Sequence, residues 1–380
     1  MSKDNALKDT LKALQKKYGE NVVTFGNDIL GVRKIALDIP MFDFITTGGF
    51  PVNRITELYG DFSSLKSYFC YVGIGKFQKY DWANNVPDVI SVDVVKDKEN
   101  LIPEIKKIKI KRGYKPVKEP RYKYCVLLDI EGTYDPTWGA KLGIDNDALI
   151  YINPSSLNVT IDLLDAFLSN EDVSFIIFDS MIAIGADQEA DASMEKEQMG
   201  VNAKFWNKAI RKITAAINRN PEKDVTLALI NGAYEKLGMV FGDPEQVKNG
   251  KGVGLAKSMS IKSSALKTQD ETIDGTKRVK GRNITLRNRK NKVGIPFREG
   301  SLYFSFIDDG HLKAGQTDVV SQLVTLAVAE HLIERKGAYY YYKDVKVNGF
   351  DNFCNLFIED AAMQEDLRST VYNEVILKKG

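Results

Sequence analysis

From about Arg54 onward the chain alternates short apolar β-type runs with segments of helical periodicity, and this alternation restricts the fold more than any other feature. ITELYG, YCVLLDIEG, ALIYI, SFIIFDS and VTLALIN are apolar runs, whereas residues 196–218 repeat at helical spacing. Strands of a parallel sheet are buried on both faces and so read as near-continuous apolar runs. The pattern therefore predicts an α/β fold with a mostly parallel central sheet covered by helices. Ahead of it, Leu7, Leu11 and Leu14 fall at helical spacing, Gly19 stops the helix, and VVTF from Val22 to Phe25 reads as a short strand. Elements this small must dock on the main domain or on another copy. The stretch from about Asn84 to Pro120 holds Pro103, Pro116 and Pro120 and an IKKIKIKR run that alternates like an edge strand, so it reads as an insertion. From about Gln316 a helix, a Tyr-rich strand at Tyr339 to Tyr342 and further helix predict a small C-terminal domain.

Lys and Arg outnumber Asp and Glu by 53 to 51, so affinity for an acidic partner must come from local clustering. Two stretches supply it: Lys106 to Lys123 with nine basic residues against one acidic, and Lys277 to Lys292 with eight and none. The three cysteines, Cys70, Cys125 and Cys354, are widely spaced in apolar sequence, which fits buried thiols in a reducing compartment rather than a disulfide framework. No Cys/His spacing suggests zinc. No run reaches the length of a membrane span and the charged N-terminus is not an apolar signal, so a cytoplasmic location without a membrane partner is expected.

GDFSSLKS, comprising Gly60, Asp61, Phe62, Ser63, Ser64, Leu65, Lys66 and Ser67, follows the strand ITELY and precedes a helical run opening at Tyr68. That is the strand–loop–helix context of a phosphate loop. Backbone N–H groups and a helix N-terminus would surround the phosphates of ATP, Lys66 would charge-pair with them, and Ser67 would offer a hydroxyl to Mg²⁺. The second glycine of the usual pattern is here Leu65. SFIIFDS ends in Asp179 and Ser180, where Asp179 can order the Mg²⁺ shell, and CVLLDIEG ends with Asp129 and Glu131, of which Glu131 can polarise an attacking water.

The order of these motifs resembles bacterial RecA and its phage-encoded relatives. KALQKKYGENVVTFGND, TTGGFPVNRITELYG, LLDIEGTYDPTWGAKLGID, EKEQMGVNAKFWNKAIRKI, LGMVFGDPE, NRKNKVGIPF and LVTLAVAEHLIERKGAYYYYK carry the likeness through most of the chain. The resemblance implies a RecA-type P-loop ATPase core over residues 34–315, in which the basic insertion at 84–120 has no bacterial counterpart. An N-terminal polymerisation helix and strand over 1–33 and a small α+β C-terminal domain over 316–380 would flank it. It implies Glu131 as the catalytic glutamate, and Asp135 and Trp138 as adenine contacts, the indole suited to stacking. The first DNA loop would span Asp187 to Met199. Lys204, Asn207 and Arg211, on one helical face, would contact DNA. The second loop would run from Ala233 to about Lys251, with Phe241 inserting between bases and Lys248, Asn249, Gly250 and Lys251 meeting the phosphate backbone. Lys290 and Lys292 would reach the neighbouring subunit's ATP across a filament interface.

Three departures accompany the resemblance. Gly232 stands where the family's γ-phosphate-sensing glutamine would be, Tyr234 replaces an arginine early in the second loop, and Leu65 is a feature of some phage recombinases. What the resemblance implies is an ATP-dependent recombinase that assembles as a filament on single-stranded DNA and exchanges strands with a homologous duplex. Single-strand-binding and loader proteins would be further partners, and a phage-encoded protein would act in the host cytoplasm. The alternative is a catalytically weakened RecA-fold accessory DNA-binding protein, which Leu65 and Gly232 favour. A ring-forming helicase or clock-type ATPase shares the core but not the N-terminal helix or the LIERKGAYYYYK segment.

Overall fold

A computed structural model describes residues 3–18, 31–84, 89–95, 104–111, 119–154, 157–181, 195–219, 223–235, 245–247, 250–273 and 275–377. The chain divides into two units, one of residues 1–33 and 81–121 and one of residues 34–80 and 122–380.

The first unit holds helix α1 (Lys3–Tyr18), whose Leu7 and Leu14 are 58% and 38% exposed. Its two strands lie in the stretch read from sequence as an insertion. EIKKIKIK, Glu104–Lys111, does form a strand, and it pairs antiparallel with VISVDVV in a separate two-stranded sheet. The ends of the stretch are tied together, since Trp82 N donates to Arg121 O at 2.9 Å and Arg121 N to Asp81 Oδ1 at 3.2 Å.

In chain order the second unit begins with β1 (Lys34–Ile35), α2 (Pro40–Thr46), β2 (Phe50–Pro51), β3 (Ile55–Gly60) and α3 (Lys66–Lys79). With the insertion strands as β4 (Val89–Val95) and β5 (Glu104–Lys111), it continues through β6 (Tyr124–Asp129), α4 (Pro136–Lys141), β7 (Leu149–Ile152), α5 (Leu157–Leu168) and β8 (Val173–Asp179). Next come α6 (Glu195–Arg219), β9 (Thr226–Glu235), β10 (Glu245–Val247), α7 (Gly250–Ala256), β11 (Met259–Ile273), β12 (Thr276–Asn291) and β13 (Glu299–Ser305). The C-terminal part adds α8 (Val319–Ala329), β14 (Glu334–Lys336), β15 (Tyr339–Tyr342), β16 (Val345–Asn348), α9 (Phe350–Glu359) and α10 (Ala361–Val371).

The central sheet runs β13-β12-β11-β3-β9-β8-β6-β7, with β10 paired to β9. From β11 to β7 every pairing is parallel, and the antiparallel pairs are confined to the β11–β12–β13 edge and β10. This is the α/β fold with a mostly parallel sheet that the apolar runs predicted, and it agrees with the core that the resemblance implies. Both faces are dry, as parallel strands require. On one face Val126, Ile176, Leu229, Trp206, Ile210 and Leu164 bring together the sheet, α5 and α6. On the other, aromatic rings from α3, α2 and β8 stack, with Phe77 and Phe175 centroids 4.3 Å apart and Phe42 and Phe69 5.0 Å apart. The C-terminal elements form a small α+β layer in which Tyr340 and Tyr342 pack inward on Phe353 and Phe357.

The basic run from Lys277 to Lys292 lies on β12, where acidic residues of neighbouring segments oppose it. Lys277 pairs with Asp270 at 2.7 Å, Lys280 with Asp309 at 2.5 Å, and Arg287 with Glu299 at 2.7 Å. A charge cluster in sequence is thus partly neutralised by the fold. The three cysteines are free and buried. Among the described residues no helix is long and apolar enough to cross a membrane.

Candidate functional site

The carboxyl ends of β3, β6 and β8 converge, and the phosphate-loop sequence occupies that edge. Strand β3 ends at Gly60, whose φ is 142° and where a Cβ would run into the Ser263 carbonyl, so only glycine fits. Past it, Ser63 (φ 56°) and Leu65 (φ 65°, ψ 19°) take left-handed backbone, with Leu65 as the N-cap of α3. Leu65 stands where the usual motif has glycine. The left-handed φ gives the physical reason for that preference, because a side-chain-bearing residue is strained there and glycine is not. The loop nevertheless closes: Ser64 Oγ donates to Asp61 O at 2.8 Å, and Ser263 Oγ donates to the Ser64 carbonyl.

Inside the loop, Lys66 Nζ donates to Gly60 O at 3.1 Å and Asp61 O at 2.5 Å. Burial lowers its pKa, while Asp179, Asp61 and Glu131 pull the other way. One residue on, Ser67 Oγ donates to Asp179 Oδ2 at 2.7 Å. Asp179 is pushed up to about 6, chiefly by burial, against the Ser67 hydrogen bond. The exposed Glu131 accepts from Ser180 Oγ at 2.6 Å. Lys66, Ser67, Asp179 and Glu131, separated widely in sequence, thus come together at one sheet edge.

Asp129 does different work. Fully buried, it accepts from Gly132 N and Tyr134 N at 2.9 Å each and from Tyr151 Oη at 3.3 Å, so it fixes the turn that carries Glu131. Asp135 caps α4 through Thr137 N at 2.7 Å and Trp138 N at 3.3 Å. Trp138 lies against the backbone of Gly315, where a Cβ would run into the indole. No motif in the sequence marked Gly315 as the neighbour of this indole. Tyr68 is turned from the loop: its ring meets Phe304 edge-on at 4.9 Å, and burial raises its hydroxyl to about 12. Phe62, at the loop tip, is 93% exposed.

On the α6 side, Asn207 Oδ1 accepts from Gly252 N at 3.1 Å and Arg211 Nε donates to Asn207 O at 3.0 Å. Both line a groove between α6 and α7 with Ile210 and Leu255. Lys204 occupies α6 three residues before Asn207, Tyr234 pairs with Gln246 across β9 and β10, and Gly250 and Lys251 open α7. Phe241, Lys248, Asn249 and most of the stretch assigned to the first DNA loop lie outside the described residues. Lys290 Nζ donates to Gly254 O at 2.6 Å and Lys292 Nζ to Leu255 O at 3.1 Å, both at the electronegative end of α7. Lys290 is lowered to about 8 by burial first and then by Lys292 and Lys257.

Sequence reading missed a buried cluster beneath the loop: Glu57, Asn231, Lys257 and Ser260. Its signal was one glutamate in the otherwise uncharged strand ITELYG.

An open, mostly parallel sheet with a phosphate loop and two carboxylates at its carboxyl edge defines the P-loop α/β class. The chain matches the RecA N-terminal domain model over residues 117–309 and belongs to the RecA family. It is similar to Protein RecA of Mycoplasma mobile, 25% identical over 379 residues that cover 97% of this chain and 96% of that protein. Similarity to Protein RecA of Francisella tularensis subsp. novicida is 24% over 388 residues, covering 100% and 92%.

Proposed function

We propose that the protein is a DNA-dependent ATPase that assembles on single-stranded DNA, pairs it with a homologous duplex and exchanges strands. The observation that carries this reading is the junction of Lys66, Ser67 and Asp179 at the sheet edge, in a chain of this family. The loop carbonyls curl round the Lys66 ammonium, which can turn from them to the β- and γ-phosphates of ATP. Ser67 and Asp179 would hold Mg²⁺, hard oxygen donors suited to a cation that keeps waters and substrate phosphates as its other ligands. When bound, the ion neutralises charge on the phosphate oxygens.

Glu131, oriented by Ser180, takes a proton from the attacking water. Trp138 stacks on the adenine beside Asp135, and Lys290 and Lys292 act on the ATP of a neighbouring copy. Lys204, Asn207 and Arg211 grip DNA with residues 233–251. The segment 1–33 serves polymerisation, 34–315 forms the ATPase core and 316–380 the C-terminal domain, in the cytoplasm of a cell or phage host. ATP hydrolysis measured with and without single-stranded DNA, alongside electron microscopy of the complexes, tests the reading. Turnover that ignores DNA, or rings in place of filaments, would overturn it.

A further inference from the structure

Strand β3 is buried from end to end, yet it carries Glu57, whose side chain is wholly out of solvent. Its ion-pair partner is Lys257, directly after α7, with a side chain only 10% exposed. Ser260 Oγ donates to Glu57 Oε2 at 2.7 Å, and Asn231 Nδ2 donates to Oε1 at 3.3 Å. The cluster spans three adjacent strands, β11, β3 and β9, and the connection from α7 into β11. Such an ion pair contributes little to stability as such, because apolar residues of similar volume in a dry core do as well or better.

The places it joins are more informative. Glu57 stands three residues before Gly60, on the strand that enters the phosphate loop. Asn231 accepts from Gly232 N at 3.0 Å midway along β9, and Lys257 follows α7, so the cluster holds the chain before and after residues 236–249. Lys290 and Lys292 rest on the last carbonyls of α7, immediately before Lys257. Three lysines therefore crowd the end of α7, and Glu57 is the anion buried among them. Gly232, the residue beside Asn231, has no side chain with which to report on a nucleotide.

We propose that Glu57 and Lys257 are a positioning pair that links the phosphate-loop strand to the end of α7, so that the DNA dependence of ATP hydrolysis runs through this buried ion pair. The inference rests on the ATPase reading above. Loss of the pair frees the end of α7 from β3 while leaving the phosphate loop intact. Nucleotide binding and DNA coupling should then separate.

The experiment compares the parent, the doubly neutral Glu57→Gln/Lys257→Met protein and Lys257→Arg. It measures affinity for a fluorescent ATP analogue and the ratio of hydrolysis rates with and without single-stranded DNA. A merely structural defect lowers both rates together and cancels in the ratio. In the double variant, nucleotide affinity should stay at the parental value while the ratio falls by about tenfold or more, within the usual range of coupling between sites. Lys257→Arg should keep the ratio. A folded double variant with the parental ratio, or an Arg variant that falls as far as the double, overturns the proposal. Should the double variant fail to fold, Glu57→Gln alone keeps the shape and the acceptor for Ser260 and is judged in the same way. A parent without DNA stimulation sinks the ATPase reading, and this inference with it, whereas a parent with stimulation isolates the test of the pair.

Discussion

At the carboxyl edge of the sheet two acids stand in different surroundings, which suits the separate roles proposed for them. Glu131 is exposed and oriented by Ser180, whereas Asp179 is buried and bonded to Ser67. Glu131→Gln should preserve ATP binding and slow turnover by roughly 10²-fold or more, the usual scale for losing a general base. Lys66→Ala should abolish hydrolysis, and single-turnover assays of both variants check these outcomes; unimpaired turnover in Glu131→Gln would remove that residue from the role. Because burial raises Asp179 to about 6, in the proposed metal role a cation would compete with a proton for it below that pH. Affinity for Mg²⁺–ATP should therefore climb between about pH 5 and pH 7 and then level off. Calorimetric titrations across that range check it, and Asp179→Asn should flatten the climb. That these residues meet at one sheet edge was legible in the sequence, because each stands at or just after the end of an apolar strand run. Glu57 and Lys257 were not, since their partnership spans 200 residues and depends on strand order.

Among the elements, the apolar runs that predicted strands became β3, β6, β7, β8 and β9, each shielded by helices. The hairpin of β11 and β12, with strands of 15 and 16 residues, was not legible. Its sequence is polar because much of it faces solvent, and its basic residues find acidic partners that only the fold brings near. Also hidden was the clasp between α2 and the C-terminal turn after α10. There the buried Asp43 accepts from Leu37 N at 2.9 Å and from Tyr372 Oη at 2.7 Å, next to an Asp38–Arg368 ion pair at 2.6 Å. Burial raises Asp43 to about 7 despite those hydrogen bonds. A carboxyl raised in the folded state gives stability that is complete below its unfolded pKa of about 4 and is lost as pH rises through about 7. Asp179 acts in the same sense, so a comparison of proteins is needed. The parent should lose more stability than Asp43→Asn between about pH 4 and pH 7 in denaturant titrations, and parallel curves would sink the assignment.

For the whole molecule, the central sheet and the helices covering it come from residues 34–80 and 122–380, a unit that does not draw on α1. Helix α1 shows Leu7 and Leu14 to solvent at helical spacing, with Leu11 half-buried between them. A leucine gains about 1.5–3 kcal/mol when fully buried, so a stripe of three supplies a substantial association energy if a second copy covers it. On the proposed function that energy would matter most on a strand of DNA, where many copies would lie side by side and each contact would repeat. Deleting residues 1–24 should accordingly leave a soluble protein that melts at the parental temperature and binds ATP with the parental affinity, yet forms no filament on single-stranded DNA. Leu7→Asp/Leu14→Asp in the full chain should act in the same direction, because two charges on the stripe oppose its burial. Electron microscopy with sedimentation of DNA-bound protein reads the result directly: regular filaments from the truncated chain would show that polymerisation is carried by another surface.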